Sequence, residues 1–204
     1  KILVSKFNKV TFWPFLRSKY GFTDDQIKPY NFSLQPFLND RKSIQQGYIT
    51  SEPYSIKMKT GIDPVIHLLA DNGYTPYATT IETSNKNIEN NPDLVQRFVD
   101  ASIEGWYSYL YGNPSLGNNL IKKDNSEMSD GLLEYARNQL KEREIILSKN
   151  PQFLGIGSMT NDRWKSFYEM MSDQGLYPID LDYTKSYTLK FVNNFKWREY
   201  EKNY

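Results

Sequence analysis

Ser51, Glu52 and Pro53 follow residues 47–50, where Gly-Tyr-Ile-Thr alternates in the manner of a short buried strand. A hydroxyl and a carboxylate between a strand and a helix can both hydrogen-bond a solute, and the free N–H groups of the helix's first turn add donors. Glu52 could accept a hydrogen bond from an exocyclic amine. The same residue types also suit an N-cap and a favourable first-turn carboxylate, so both interpretations stay open.

Three aromatic residues could form the walls of a binding site. A flat heteroaromatic solute gains from stacking on aromatic rings, and a tyrosine hydroxyl adds orientation. Trp13 lies on the first turn of a predicted helix, where core packing is the competing role. Tyr74 and Tyr77 flank Pro76 in a turn-like segment, which favours a position in a cleft.

The sequence offers little for catalysis. His67 is the only histidine and stands in a predicted strand, where a structural role is the more common one. No P-loop, dinucleotide-binding or nucleophile-elbow motif occurs, and the paired carboxylates Asp24/Asp25 and Asp180/Asp182 sit in polar turns. Cysteine is absent, which excludes disulfides and thiolate metal sites. We therefore expect no enzymatic activity, no metal and no cofactor.

Charge and hydropathy exclude further classes. The 204-residue chain carries a formal net charge of +1, which gives no general attraction to nucleic acid or anionic lipid. No apolar run approaches the roughly 20 residues that a membrane-spanning helix needs. The length suits one sizeable domain or two small lobes.

Strand and helix patterns alternate in the first part of the chain. We predict strands at 2–5, 27–32 and 47–50, and helices at 12–20, 35–46 and after Pro53. Such alternation with short connections is typical of an open α/β sheet. The segments PVIHLLA and ATTIETS predict two more strands, and the remainder is mainly helical. Its predicted helices cover 91–111, 129–143 and 161–174.

Five ordered segments resemble one protein family: TFWPFLRSKYGFTDDQIKPYNF, QQGYITSEPY, LLADNGYTPYATTIETS, NPDLVQRFVDASIEGWYSYLYGNP and GIGSMTNDRWKSFYEMMSDQGLYPIDLDY. They are similar to the periplasmic solute-binding proteins of the nitrate, sulfonate, taurine and thiamine-pyrimidine group. The likeness extends from about Trp13 to Val192. It is closest to the thiamine-pyrimidine branch, in which a strand ending in Ser-Glu-Pro and a later Gly-Tyr-x-Pro-Tyr are familiar.

The resemblance implies an α/β fold of the periplasmic-binding-protein type 2, with two lobes and the solute in the cleft between them. Residues 1–72 would correspond to the second lobe and 73–80 to a hinge strand. Residues 81–192 would form the helix-rich C-terminal part of the first lobe, and 193–204 a tail. The first half of lobe one has no counterpart in this chain.

The resemblance also implies the ligand-binding residues, which would be Ser51, Glu52, Tyr74, Tyr77, Trp13 and Thr11. Thr11 falls in the turn after the first strand, where this group often carries a Gly-, Ser- or Thr-rich loop. Here residues 7–11 read Phe-Asn-Lys-Val-Thr. The bulky side chains of Phe7 and Val10 make a close approach of solute to backbone harder.

Two functions follow from the resemblance. The first is non-enzymatic binding of a thiamine-precursor pyrimidine or similar small heteroaromatic, in the periplasm or after export, for uptake through an ABC permease. The second is a binding-protein fold reused as an accessory subunit of a larger complex, with a mitochondrial location. In that case Trp197, Tyr200 and Tyr204 of the aromatic, basic tail would contact other subunits.

Overall fold

The apolar run Ile2–Val4 forms the central strand of a small parallel sheet in a computed structural model that describes residues 1–147 and 155–193. The chain divides into two units by its internal contacts. Unit 1 consists of Lys1–Pro76 and Arg163–Asp182, and unit 2 consists of Tyr77–Asp162 and the residues from Tyr183 onward. The division falls within the predicted 73–80 segment, while the predicted lobe boundaries themselves stay predictions.

The sheet belongs to unit 1 and has three parallel strands in the order β2-β1-β3. They are β1 (Ile2–Val4), β2 (Ile27–Pro29) and β3 (Ile44–Gln45). All three residues of β1 are buried, as expected for the middle strand of a parallel sheet with both faces covered. The predicted alternation of strand and helix is confirmed here.

Eight helices occur in the described residues: α1 (Trp13–Tyr20), α2 (Gln35–Leu38), α3 (Glu52–Thr60), α4 (Asn85–Asn90), α5 (Pro92–Tyr111), α6 (Ser115–Asp124), α7 (Asp130–Glu142) and α8 (Asn161–Asp173). Short 3-10 turns lie at Phe7–Lys9, Asp24–Gln26, Ala70–Asn72 and Tyr183–Ser186. None of the described helices is long and apolar enough to cross a membrane.

Each unit has its own core. In unit 1, Ile2, Val4 and Trp13 form a buried cluster between the sheet and α1. In unit 2 the core centres on one face of α5. The buried residues of this face recur at helical spacing, and they pack against a residue of the segment that begins at Gly155 and a residue near the end of the described chain. The buried residues of this cluster are Val99, Ile103, Tyr107, Leu110, Ile156 and Phe191. Leu94 and Phe98 of the same helix are more than half exposed.

Several predicted elements differ from the structure. The helix predicted over 35–46 stops at Leu38, and β3 forms at Ile44–Gln45 instead of at 47–50. The segments PVIHLLA and ATTIETS are not strands, and 73–80 forms no hinge strand. β-branched residues favour a strand only where a neighbouring strand supplies hydrogen bonds, and these segments have none in the described part of the chain.

Candidate functional site

The three strands of unit 1 bring polar side chains to one edge of the sheet. Ser5, Tyr30 and Gln46 come directly after β1, β2 and β3. Because the strands are parallel, their carboxyl ends meet at the same edge. The order 2-1-3 places a reversal of strand order at this edge, beside β1, which is where open α/β sheets usually bind ligands.

Ser5 and Gln46 join the ends of β1 and β3. Ser5 is the buried polar residue of the described chain, and its backbone N–H donates to Gln46 Oε1 at 2.6 Å. The backbone N–H of Gln46 donates in turn to the carbonyl of Leu3 at 3.0 Å. Since Oε1 of Gln46 is used by Ser5, the Nε2 end of this carboxamide is the one that a solute can address.

Glu52 links the end of β2 to the turn before α3. Its Oε1 accepts a hydrogen bond from the buried Tyr30 hydroxyl at 3.0 Å, and its Oε2 accepts one from the Tyr48 backbone N–H at 2.8 Å. Burial raises the pKa of Tyr30, and the negative charge of Glu52 and the hydrogen bond to it raise it further. The tyrosine therefore remains a hydrogen-bond donor throughout the physiological pH range.

Gly47 allows this arrangement by lacking a side chain. A Cβ at this position would lie 2.9 Å from Glu52 Cβ, closer than such atoms normally approach, and 3.1 Å from Glu52 Cγ, a tight contact. The glycine before Tyr48 is thus required for the Glu52 carboxylate to reach the turn.

The turn after β1 is ordered by its own polar groups. Thr11 Oγ1 donates to Asn8 Oδ1 at 2.9 Å, and the Asn8 backbone N–H contacts both the carbonyl of Ser5, at 3.1 Å, and its Oγ, at 3.4 Å. Thr11 is half-buried and shapes this turn. The turn lies at the same sheet edge as Ser5 and Gln46 because it follows the central strand.

Ser51 lies at the N-cap position of α3 and is half-buried. Its side chain makes no capping hydrogen bond, and its backbone N–H donates to the carbonyl of Tyr48 at 2.9 Å. The structure therefore brings Ser51 and Glu52 together at the start of α3, on the turn that follows β3.

Trp13 lies in the core of unit 1. Only 1% of its surface is exposed, its ring stacks on Phe22 with centroids 5.9 Å apart, and its Nε1 donates to Asp24 Oδ1 at 2.8 Å. Core packing, the competing role that the sequence suggests for Trp13, accounts for all three observations. In this structure the ring presents no free face to a solute.

Tyr74 and Tyr77 belong to different units. Tyr74 packs in unit 1 between Phe15 and Phe167, with ring centroids 5.3 and 6.2 Å away. Burial, and to a lesser extent Tyr177, raises the pKa of Tyr74 to about 12. Tyr77 lies in unit 2, where its hydroxyl accepts the Thr160 backbone N–H at 2.8 Å.

Sequence reasoning missed Ser5, Tyr30, Gln46 and Tyr48. Three of them directly follow a strand, so a correct prediction of the strand ends would have marked them as candidates. Placing the third strand at 47–50 concealed Gln46 and Tyr48, because Gln46 then preceded the strand and Tyr48 lay within it. Trp197, Tyr200 and Tyr204 lie outside the described residues.

Metal ligands do not converge in the part of the chain that the structure describes. Within residues 1–147 and 155–193, no group of three or more His, Asp or Glu side chains could hold an ion. The donors at the sheet edge are instead hydroxyl, carboxamide and backbone groups around one carboxylate, which suit an uncharged or weakly basic polar solute.

Known proteins resemble this chain in sequence. The family model described as NMT1/THI5 like matches residues 6–115, more than half of the chain. The riboflavin-binding protein RibY of Chloroflexus aurantiacus is 28% identical over 156 residues, which cover 76% of this chain and 44% of that protein. The chain thus spans less than half the length of this curated relative. No solved structure matches it significantly. With more than half of its length matched by the family model, the chain belongs to the NMT1/THI5-like family.

Proposed function

We propose that this protein binds a small nitrogen-containing heteroaromatic solute, without catalysis, at the carboxyl edge of the unit 1 sheet. The family membership supports a solute-binding role. The observation that carries the proposal is the convergence of hydrogen-bonding groups from all three strand ends and from the first turn of α3. Such convergence is what an α/β protein needs to hold a polar ligand at its sheet edge.

Two solute classes fit this edge. The resemblance to the thiamine-pyrimidine branch favours an aminopyrimidine, whereas the printed name of the RibY relative points to riboflavin. Both are flat and carry adjacent hydrogen-bond donors and acceptors. Gln46 Nε2 and the Ser51 hydroxyl can pair with such groups, and Glu52 retains lone pairs beyond those used by Tyr30 and Tyr48.

The transport context is part of the same proposal. A solute-binding protein acts by delivering its ligand to a membrane transporter, and for this family the partner would be an ABC permease, with the protein in the periplasm or exported. The proposed role is binding and delivery of the solute without chemical change.

A second function is favoured by the surface of unit 2. Leu94 and Phe98 on α5 and Leu116 and Leu120 on α6 are all more than half exposed. Large exposed apolar side chains at helical spacing often mark contacts with other proteins. An accessory-subunit role in a larger assembly, with the mitochondrion as its compartment, would use such a surface.

Isothermal titration of the full chain with riboflavin and, separately, with hydroxymethylpyrimidine tests the leading proposal. We expect saturable binding of at least one probe, and a loss of affinity in Glu52→Ala because the turn before α3 loses its anchor. Glu89→Gln, which removes an exposed carboxylate of α4, is the matched control and should bind like the wild type. Absence of binding by a chain with native circular dichroism would contradict the proposal.

A further inference from the structure

Each strand of the unit 1 sheet is followed, after the same interval, by an exposed aromatic side chain. Phe7, Phe32 and Tyr48 stand three residues beyond the ends of β1, β2 and β3. Their exposed fractions are 73%, 72% and 68%. We call these three residues the aromatic rim. Exposed apolar side chains are common on protein surfaces, but three aromatic rings that follow the ends of neighbouring strands form a group that a flat solute can contact.

Phe32 is held there at an energetic cost. Its φ is 60°, in the left-handed region that a residue with a bulky side chain seldom adopts. Its ring lies 5.2 Å from that of Tyr30, which is fixed in turn by Glu52. Backbone strain of this kind persists where the surrounding structure enforces it, and it clusters at ligand sites.

The spacing of the strand ends restricts the solute. Neighbouring strands lie about 4.8 Å apart, so the ends of β2 and β3, on either side of β1, are roughly 10 Å apart, and Phe32 and Tyr48 follow these ends at equal intervals. A single six-membered ring is narrower than this interval and can stack on one of the three side chains. A flat system of fused rings can contact more than one, and each contact adds stacking energy.

We infer that Phe32 is a specificity-determining residue which, together with Phe7 and Tyr48, selects flat solutes of several fused rings over single-ring solutes. This inference rests on the proposed function, because it assigns the ligand class of the same sheet edge. The hydrogen-bonding groups of Ser51, Gln46 and Glu52 then orient the solute, while the aromatic rim selects solutes by the extent of their ring system.

The strain at Phe32 permits a test that separates binding from folding. In Phe32→Gly the left-handed φ becomes unstrained, so we expect a melting temperature equal to or above that of the wild type. Loss of one stacking partner should weaken riboflavin binding on the order of tenfold. Phe32→Leu keeps the Cβ and the apolar bulk but lacks the ring, and it should also bind riboflavin more weakly.

Thr79→Gly is the matched control for the strain. Thr79 is an exposed residue of unit 2 with a φ of 58°, so its replacement relieves similar strain away from the sheet edge. We expect it to leave riboflavin affinity unchanged. Hydroxymethylpyrimidine, a single-ring probe, should bind more weakly than riboflavin to the wild type and should lose less affinity in Phe32→Gly.

The outcomes distinguish this inference from the proposed function. If both Phe32 variants bind riboflavin with the affinity of the wild type, the inference is overturned and solute binding stands. The same conclusion follows if the wild type binds the pyrimidine probe more tightly than riboflavin. A marked fall in melting temperature in Phe32→Gly would assign Phe32 a structural role and overturn the inference as well. Failure of the wild type to bind either probe would overturn both.

Discussion

Glu52 illustrates how one side chain can serve both of the roles that its sequence position suggests. Its carboxylate accepts hydrogen bonds from Tyr30 and from the Tyr48 backbone, so it fixes the turn that carries Ser51. Hydrogen bonds to a charged group contribute about 1.5–3 kcal/mol each, which makes this residue important for the shape of the edge before any solute arrives. In the proposed site this structural role and the binding role would coincide, because the turn that Glu52 fixes forms part of that site.

Gly47 offers a direct test of this geometry. In Gly47→Ala the new Cβ would collide with Glu52 Cβ and crowd Glu52 Cγ, so the Glu52 side chain has to shift and we expect its hydrogen bonds with Tyr48 and Tyr30 to weaken. We expect destabilisation of about 1–3 kcal/mol, as is typical when overpacking displaces neighbouring groups. Urea denaturation of the variant gives the free energy of unfolding.

Gly105→Ala is the matched control. This glycine lies inside α5 with open space around the position of a Cβ. Alanine is the better helix former, so the free energy of unfolding of this variant should rise by about 0.5–1 kcal/mol. Equal effects of the two substitutions would contradict the contact between Gly47 and Glu52.

Tyr74 predicts a loss of stability at alkaline pH. Its pKa is raised to about 12 in the folded chain, above the value of about 10 expected when unfolded. The unfolded state therefore loses this proton first, and the stability that the buried neutral phenol contributes is lost as the pH rises from about 10 to about 12. Tyr74→Phe cannot ionise, so its melting temperature should fall less steeply than that of the wild type over this range. If the melting temperatures of Tyr74→Phe and the wild type fall equally between pH values of about 10 and 12, the raised pKa of Tyr74 is contradicted.

Some residues of the candidate site could be predicted from sequence, and others could not. Ser51 and Glu52 lie at the start of a helix as their types suggest, because capping preferences act locally. Trp13 shows the limit: its position on a first turn is known from sequence, but whether its ring meets Phe22 or a solute depends on packing. Tyr30 and Gln46 gain their roles only through partners 22 and 41 residues away.

At the scale of elements, helices were easier to predict than strands. The long helix α5 has an N-terminal proline and a periodic apolar face, both of which can be read locally. The strands have only two or three residues each and depend on distant partners. The chain around Gly47 alternates like a strand, yet β3 forms just before it because Ile44 and Gln45 pair with Ile2 and Leu3.

The buried face of α5 predicts a large effect of truncation. Leu110 is completely buried in the unit 2 core, so Leu110→Ala should cost about 2–5 kcal/mol through lost burial and the cavity that remains. Leu116→Ala, on the neighbouring α6 and 75% exposed, should change stability by less than about 0.5 kcal/mol. Chemical denaturation of both variants measures the difference. A cost below about 1 kcal/mol at Leu110 would contradict the core described for unit 2.

At the scale of the whole molecule, the family relationship and the sheet support each other. The family model covers residues 6–115, a range that starts just after the central strand β1 and includes β2 and β3, the turn with Ser51 and Glu52, and α5. The two units have separate cores, one built on a parallel sheet and one on helices. The two-lobed type 2 arrangement remains a prediction, because it concerns an assembly larger than either unit.

Chemical-shift mapping by NMR of the isotope-labelled chain, during titration with riboflavin and with hydroxymethylpyrimidine, tests directly whether the carboxyl edge of the unit 1 sheet binds a solute. We predict saturable shifts concentrated at the backbone amides of Ser5, Phe32, Tyr48 and Ser51, at the carboxyl edge of the unit 1 sheet. Shifts confined to other surfaces, or none with either probe, would contradict a solute site at this edge.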